Sequence, residues 1–104
     1  MQALCAALER LAQERRCASY GALAAELGLN GPGRIAHLTA QLEALMEQDA
    51  ARGAPLRAAL VIGRASNGLP ARGFFDKAQA LGYDVSDPAG FHIAQLTALY
   101  DARA

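Results

Sequence analysis

Leucines set the rhythm of the first half of the chain. Leu4, Leu8 and Leu11 recur at spacings of four and three, one stripe of a helix over residues 2–15. Glu9, Gln13 and Glu14 lie largely off that stripe, and Arg15 and Arg16 close it with positive charge. Ser19 has the form of a helix start, and a short second helix over 20–27 carries Leu23 and Leu27 up to a stop at Gly28. Leu29-Asn30-Gly31-Pro32-Gly33 is a turn, since two glycines, a proline and an asparagine leave no room for regular structure. A third, longer helix is predicted over 34–51, where Ile35, Leu38, Leu42 and Leu45 recur at three, four and three with Met46 beside them. Gly53 and Pro55 end it.

The second half changes period. Leu60-Val61-Ile62 is a short apolar run bounded by turn residues and reads as a buried strand. Asn67-Gly68 is a hairpin signal, while Pro70 and Gly73 keep any returning strand short or irregular. Phe74 to Leu81 predicts a helix stopped at Gly82, and residues 88–102 another, with Ile93, Leu96 and Tyr100 on one stripe and Asp87 before Pro88 as its cap. The expected fold is therefore mainly α with a small β-hairpin: a winged helix-turn-helix with additional N- and C-terminal helices. Residues 1–104 read as a single domain, with no internal repeat or linker.

Composition narrows the function classes. The apolar fraction is 53%, but alanine dominates it and buries little area. A core built from the remaining Leu, Ile, Val, Phe and Tyr side chains, at roughly 25 cal/mol per Å² buried, gives marginal stability, so packing as a homodimer is a reasonable expectation. Cys5 and Cys17 do not have a metal-ligand spacing, and His37 and His92 lack partners for one, so no metal or cofactor is expected. Asp84 and Asp87 bracket a turn, and Gly63 and Gly68 do not make a phosphate loop, so no catalytic residues are assigned and no enzyme is expected. Phe74 and Phe75 cannot share a helix face; one should anchor the core and the other stands ready for an interface. No apolar run precedes a cleavage site, and no segment reaches the roughly 20 apolar residues of a membrane span. The expected location is the cytoplasm, without a membrane partner. The bias to nine arginines against one lysine fits a GC-rich, bacterial genome.

Net charge is zero, yet its distribution is uneven. Between Ala50 and Phe75 the chain carries Arg52, Arg57, Arg64 and Arg72 and no acid. A local basic stretch suits phosphate contact, though the same arginines also suit an ordinary solvated loop. Arg34 stands at the start of the third helix, where the helix dipole disfavours a cation. It is either a DNA contact or a solvated side chain.

Ser19-Tyr20-Gly21-Ala22-Leu23-Ala24, then Gly31-Pro32-Gly33-Arg34, Pro55, Leu60-Val61-Ile62 and Gly68-Leu69-Pro70 together resemble a family. It is that of the C-terminal winged-helix domain of alkylguanine-DNA alkyltransferases and the alkyltransferase-like proteins. The resemblance covers about residues 15–75. It implies that Tyr20 presses on a DNA phosphate near a flipped nucleotide and that Arg34 fills the gap left in the base stack. The family's Pro-Cys-His-Arg motif, or Pro-Trp-His-Arg in the alkyltransferase-like proteins, is absent. The matching region reads Pro55-Leu56-Arg57-Ala58-Ala59-Leu60-Val61-Ile62, with neither the cysteine nor the histidine that activates it. Alkyl transfer is thereby excluded, and lesion sensing lacks its usual pocket residues. The expectation is a non-catalytic DNA-binding protein, linked to DNA repair or regulation, that uses Tyr20, Arg34, Arg57, Arg64 and Arg72. The competing expectation is a protein–protein interaction module on the same scaffold, favoured by the neutral charge and by Glu43 and Glu47 on the third helix.

Overall fold

The computed structural model describes residues 2–64 and 67–103. In chain order these form α1 (Gln2–Gln13), β1 (Ala18–Ser19), α2 (Tyr20–Glu26), α3 (Arg34–Arg52), a 3-10 turn (Arg57–Leu60), β2 (Val61–Ile62), α4 (Arg72–Ala80) and α5 (Pro88–Asp101). The molecule is mainly helical, and among the described residues no helix is long and apolar enough to cross a membrane.

Local chemistry sets the helix limits. α1 is shorter than expected because Arg15 turns left-handed, at φ 55°, and donates its N–H to Ala12 O while Arg16 N–H reaches back to Leu11 O. That paired closure normally uses glycine. Here the Arg15 guanidinium lies 5.8 Å from the centre of the Tyr100 ring, a contact that helps hold the turn. Gly53, at φ 66°, closes α3 with the same bond pattern at no steric cost. Ser19 Oγ accepts the Ala22 N–H at 3.1 Å and caps α2. Asp87 Oδ1 does the same for α5, accepting from Gly90 N–H at 3.1 Å.

The sheet differs from the expected hairpin. β2 pairs with β1, in parallel, with Ala18 opposite Val61 and Ser19 opposite Ile62. The Asn67-Gly68 turn does form, with both residues at positive φ (51° and 82°), and Gly63 N–H bonds to Leu69 O at 2.9 Å. No strand follows it among the described residues. Pro70 has no N–H to give a ladder, and the chain enters α4 two residues later.

The 3-10 turn lies at the centre of the core, touching α1, α3 and α5. Leu56, Ala58, Ala59, Leu60 and Val61 are buried there among Leu4, Leu8, Leu11, Leu38, Leu45 and Leu99. So short a turn leaves some backbone groups without helical partners, and buried groups of this kind need bonds. α5 supplies them: Gln95 Oε1 accepts Leu56 N–H at 2.8 Å, and His92 Nε2 lies 2.8 Å from Ala59 O. A carbonyl only accepts, so His92 Nε2 carries the proton. These two bonds fix the rotation of α5, turning His92 and Leu99 inward and leaving Ile93 61% exposed. Of the expected stripe, Leu96 and Tyr100 pack against the core, and Ile93 alone is corrected to an outward position. Of the Phe pair, Phe74 enters the core, and Phe75 packs edge-on against it at 5.1 Å between ring centres.

Candidate nucleic-acid interface

The short sheet does more than close the core. Because Ser19 pairs with Ile62, the residues that follow each strand leave it side by side. After Ser19 comes Tyr20 at the head of α2; two residues after Ile62 comes Arg64. The Gly31–Gly33 turn then brings the head of α3, with Arg34 and Ile35, to the same place. Ser19, Tyr20, Gly21, Arg34, Ile35 and Arg64 line one open cleft of about 330 Å³. Three of the five residues singled out by sequence, Tyr20, Arg34 and Arg64, therefore converge, and among the described residues no acid lines the cleft.

Tyr20 forms its wall. The ring is half-buried, and its hydroxyl accepts the Ala71 N–H at 3.1 Å, tying the start of α2 to the residue before α4. Burial pushes the phenol above its ordinary pKa, so Tyr20 is neutral and can still donate its own proton. Arg34 is exposed; its guanidinium reaches back only to Gly31 O, at 3.4 Å. α3 has neither a side-chain cap nor an acid in its first turn, which leaves its N-terminal positive dipole uncompensated next to Arg34. Arg64 is exposed on the loop after β2.

The other two candidates lie elsewhere. Arg57 turns away from the surface. Its backbone N–H bonds to Asp49 Oδ2 at 3.0 Å, its Nε to both Asp49 oxygens, and its NH2 to Oδ1 at 2.8 Å. Its remaining amine, NH1, lies 3.6 Å from Cys5 Sγ. These bonds hold the Arg57 pKa above its ordinary value, and the side chain is 20% exposed against a fully buried Asp49. The expected DNA contact through Arg57 is withdrawn on this ground. Arg72 heads α4, 93% exposed, with Asp76 at 3.9 Å. It follows the residue bonded to Tyr20 but stands outside the cleft lining.

Sequence reasoning missed Ile35 as a cleft residue, placing it on the buried leucine stripe. It lies at the open end of α3 and is 38% exposed. It also missed Asp49, although a signal existed. The stripe Leu38, Leu42, Leu45 continues by four to Asp49, so an acid on the buried face demanded a cation.

Tyr20 also lines a cavity of about 20 Å³, together with Ala58, Met46 and Phe74. A void of that size holds about one water molecule, not a nucleobase. Among the described residues no cluster of His, Cys, Asp and Glu could hold a metal ion. Compared with family models, curated proteins and solved structures, the chain matches none.

Proposed function

We propose that the chain is a non-catalytic DNA-binding protein of winged helix-turn-helix type. α2, the Gly31–Gly33 turn and α3 would serve as the helix-turn-helix, and Gly63, Arg64 and the Asn67-Gly68 turn would belong to the wing. The observation that carries this reading is the convergence of Tyr20, Arg34 and Arg64 on one acid-free cleft. The first turn of the second helix of such a motif meets base edges, and cations beside it neutralise phosphates. The alkyltransferase-like resemblance assigns Tyr20 and Arg34 to DNA contact, and both line this cleft, which supports the reading. The Pro55–Ile62 region supports binding without chemistry: Leu56 and Ala58 are buried there, and the cavity beside Ala58 is too small for a base.

Fluorescence anisotropy of a labelled duplex, at low and then physiological salt, tests the reading. The logarithm of the affinity should fall linearly with log salt, with a slope near −0.9 for each phosphate neutralised, so about −2 if Arg34 and Arg64 each meet one. Absence of binding at low salt would sink it. One observation favours the interaction-module reading instead: Ile93 is 61% exposed on the outer face of α5. Sedimentation across a range of concentrations reports on that face, and a dimer dispersed by Ile93→Ser together with no DNA affinity would establish it.

A further inference from the structure

Ile35 is less covered than the rest of its stripe. Leu38, Leu42 and Leu45 further along α3 are buried, whereas Ile35 is 38% exposed. Among the described residues only Ile35 and Ile93 are large hydrophobic side chains left exposed, and of the two only Ile35 shares a cleft with Arg34 and Arg64. Its surroundings leave space. Gly21, on the same cleft, has nothing within 4 Å of where a side chain would begin. The Tyr20 ring beside it is held in place by the Ala71 N–H bond.

An aliphatic side chain on a base edge has few choices. The edges of base pairs present donors and acceptors, and burying these against isoleucine leaves them unpaired at a cost. The apolar group that a natural base pair offers in the major groove is the C5 methyl of thymine, and the minor groove offers no equivalent. We infer that Ile35 is a specificity-determining residue that reads the thymine methyl, held over the base edge by Arg34 and Arg64 on the flanking phosphates. The inference rests on the DNA-binding reading above and adds to it the feature of DNA that the cleft selects.

The test compares short alternating A·T duplexes with their A·U counterparts by anisotropy at one salt concentration. The two differ in the C5 methyl and share charge and hydrogen-bonding pattern. The wild-type protein should bind the A·T duplex about fourfold more tightly for each methyl covered, the value of one buried carbon group. Ile35→Ala should bind both duplexes alike, and Ile35→Val should keep most of the preference. Alternating G·C duplexes should gain affinity when their cytosines carry a C5 methyl. Equal wild-type binding to A·T and A·U duplexes, or a preference that survives in Ile35→Ala, overturns the assignment while leaving DNA binding intact. Failure to bind any duplex overturns the DNA reading itself, and this inference with it.

Discussion

Arg57 and the pair Arg34 and Arg64 are the same residue type with opposite fates. Arg57 and Arg64 even belong to one acid-free stretch of sequence. Arg57 is bound by three of its own N–H groups to one buried carboxylate and reaches a thiol with another. Arg34 reaches only a backbone carbonyl, and Arg64 stands exposed on the rim. The difference comes from α3. Its inward stripe ends in Asp49, beside the 3-10 turn that carries Arg57, while its exposed head carries Arg34 with no acid in the first turn. A local excess of positive charge is thus not itself a binding surface; the fold decides which cations are already neutralised.

Removing the carboxylate should produce the largest effect. Asp49→Ala strips Arg57 of its acceptor inside the core and also frees Arg52, which bonds to Asp49 at 2.6 Å. Breaking a buried pair by deleting one partner costs about 3–5 kcal/mol. Urea denaturation should show a loss near the lower end, because Arg57 keeps some solvent contact. Replacing both residues by leucine should recover much of that loss, since an apolar pair leaves no charge unpaired. A single Asp49→Ala change of under about 1 kcal/mol would show that Arg57 finds water as easily as the cleft arginines do.

The converse prediction concerns binding. Arg34→Ala with Arg64→Ala should leave stability within about 0.5 kcal/mol of wild type. Arg34→Ala alone should raise it by a few tenths, since a cation at a helix N-terminus works against the dipole. DNA affinity should fall on every sequence, and the double variant's salt dependence should be shallower by about 2 in log–log slope. Arg57→Ala should do the reverse: lower stability with an unchanged slope in the folded protein. Two variants with the same slope change would erase the distinction between the two regions.

Much of the frame was legible because it depends on neighbours in sequence. The leucine spacing gave α1 and α3, and Ser19, Gly28, Gly53 and Asp87 punctuate the helices where their side-chain or backbone chemistry requires. The failures are non-local. Pairing Ala18–Ser19 with Val61–Ile62 joins segments more than forty residues apart, and two-residue strands carry no periodic signature. The rotation of α5 was hidden for a similar reason. His92 and Gln95 turn inward to meet backbone groups of a turn whose lack of partners only the fold reveals. Tyr20 and Arg34 could be named from sequence; that Arg64 joins them follows from the sheet register, and that Arg57 does not follows from Asp49.

Tyr20 belongs both to the cleft and to the edge of the core, its ring packed and its hydroxyl bonded to Ala71. Tyr20→Phe removes the acceptor of the Ala71 N–H and should cost about 1 kcal/mol by thermal or urea denaturation. The salt slope of DNA binding should not change, because a neutral phenol displaces no counterion. A shallower slope in Tyr20→Phe would mean that the loss of the Ala71 tie displaces the arginine rim, making the tether part of the binding surface.

Arg72 should give the smallest effect, and it marks the edge of the proposed surface. Its guanidinium is 93% exposed and stands 3.9 Å from Asp76, one turn on in α4. Two small influences on stability oppose each other. As the first residue of α4, a cation is disfavoured by the dipole, by a few tenths of a kcal/mol. The pair with Asp76 returns a similar amount, in the weaker orientation with the cation N-terminal to the acid. Arg72→Ala should therefore leave the denaturation midpoint where it is. On DNA it should weaken binding less than Arg34→Ala or Arg64→Ala does, with a slope change below about 1, because Arg72 lies outside the cleft. A slope change equal to that of Arg34→Ala would extend the contact surface from the cleft onto the head of α4, and free cations outside the cleft would then count alongside those within it.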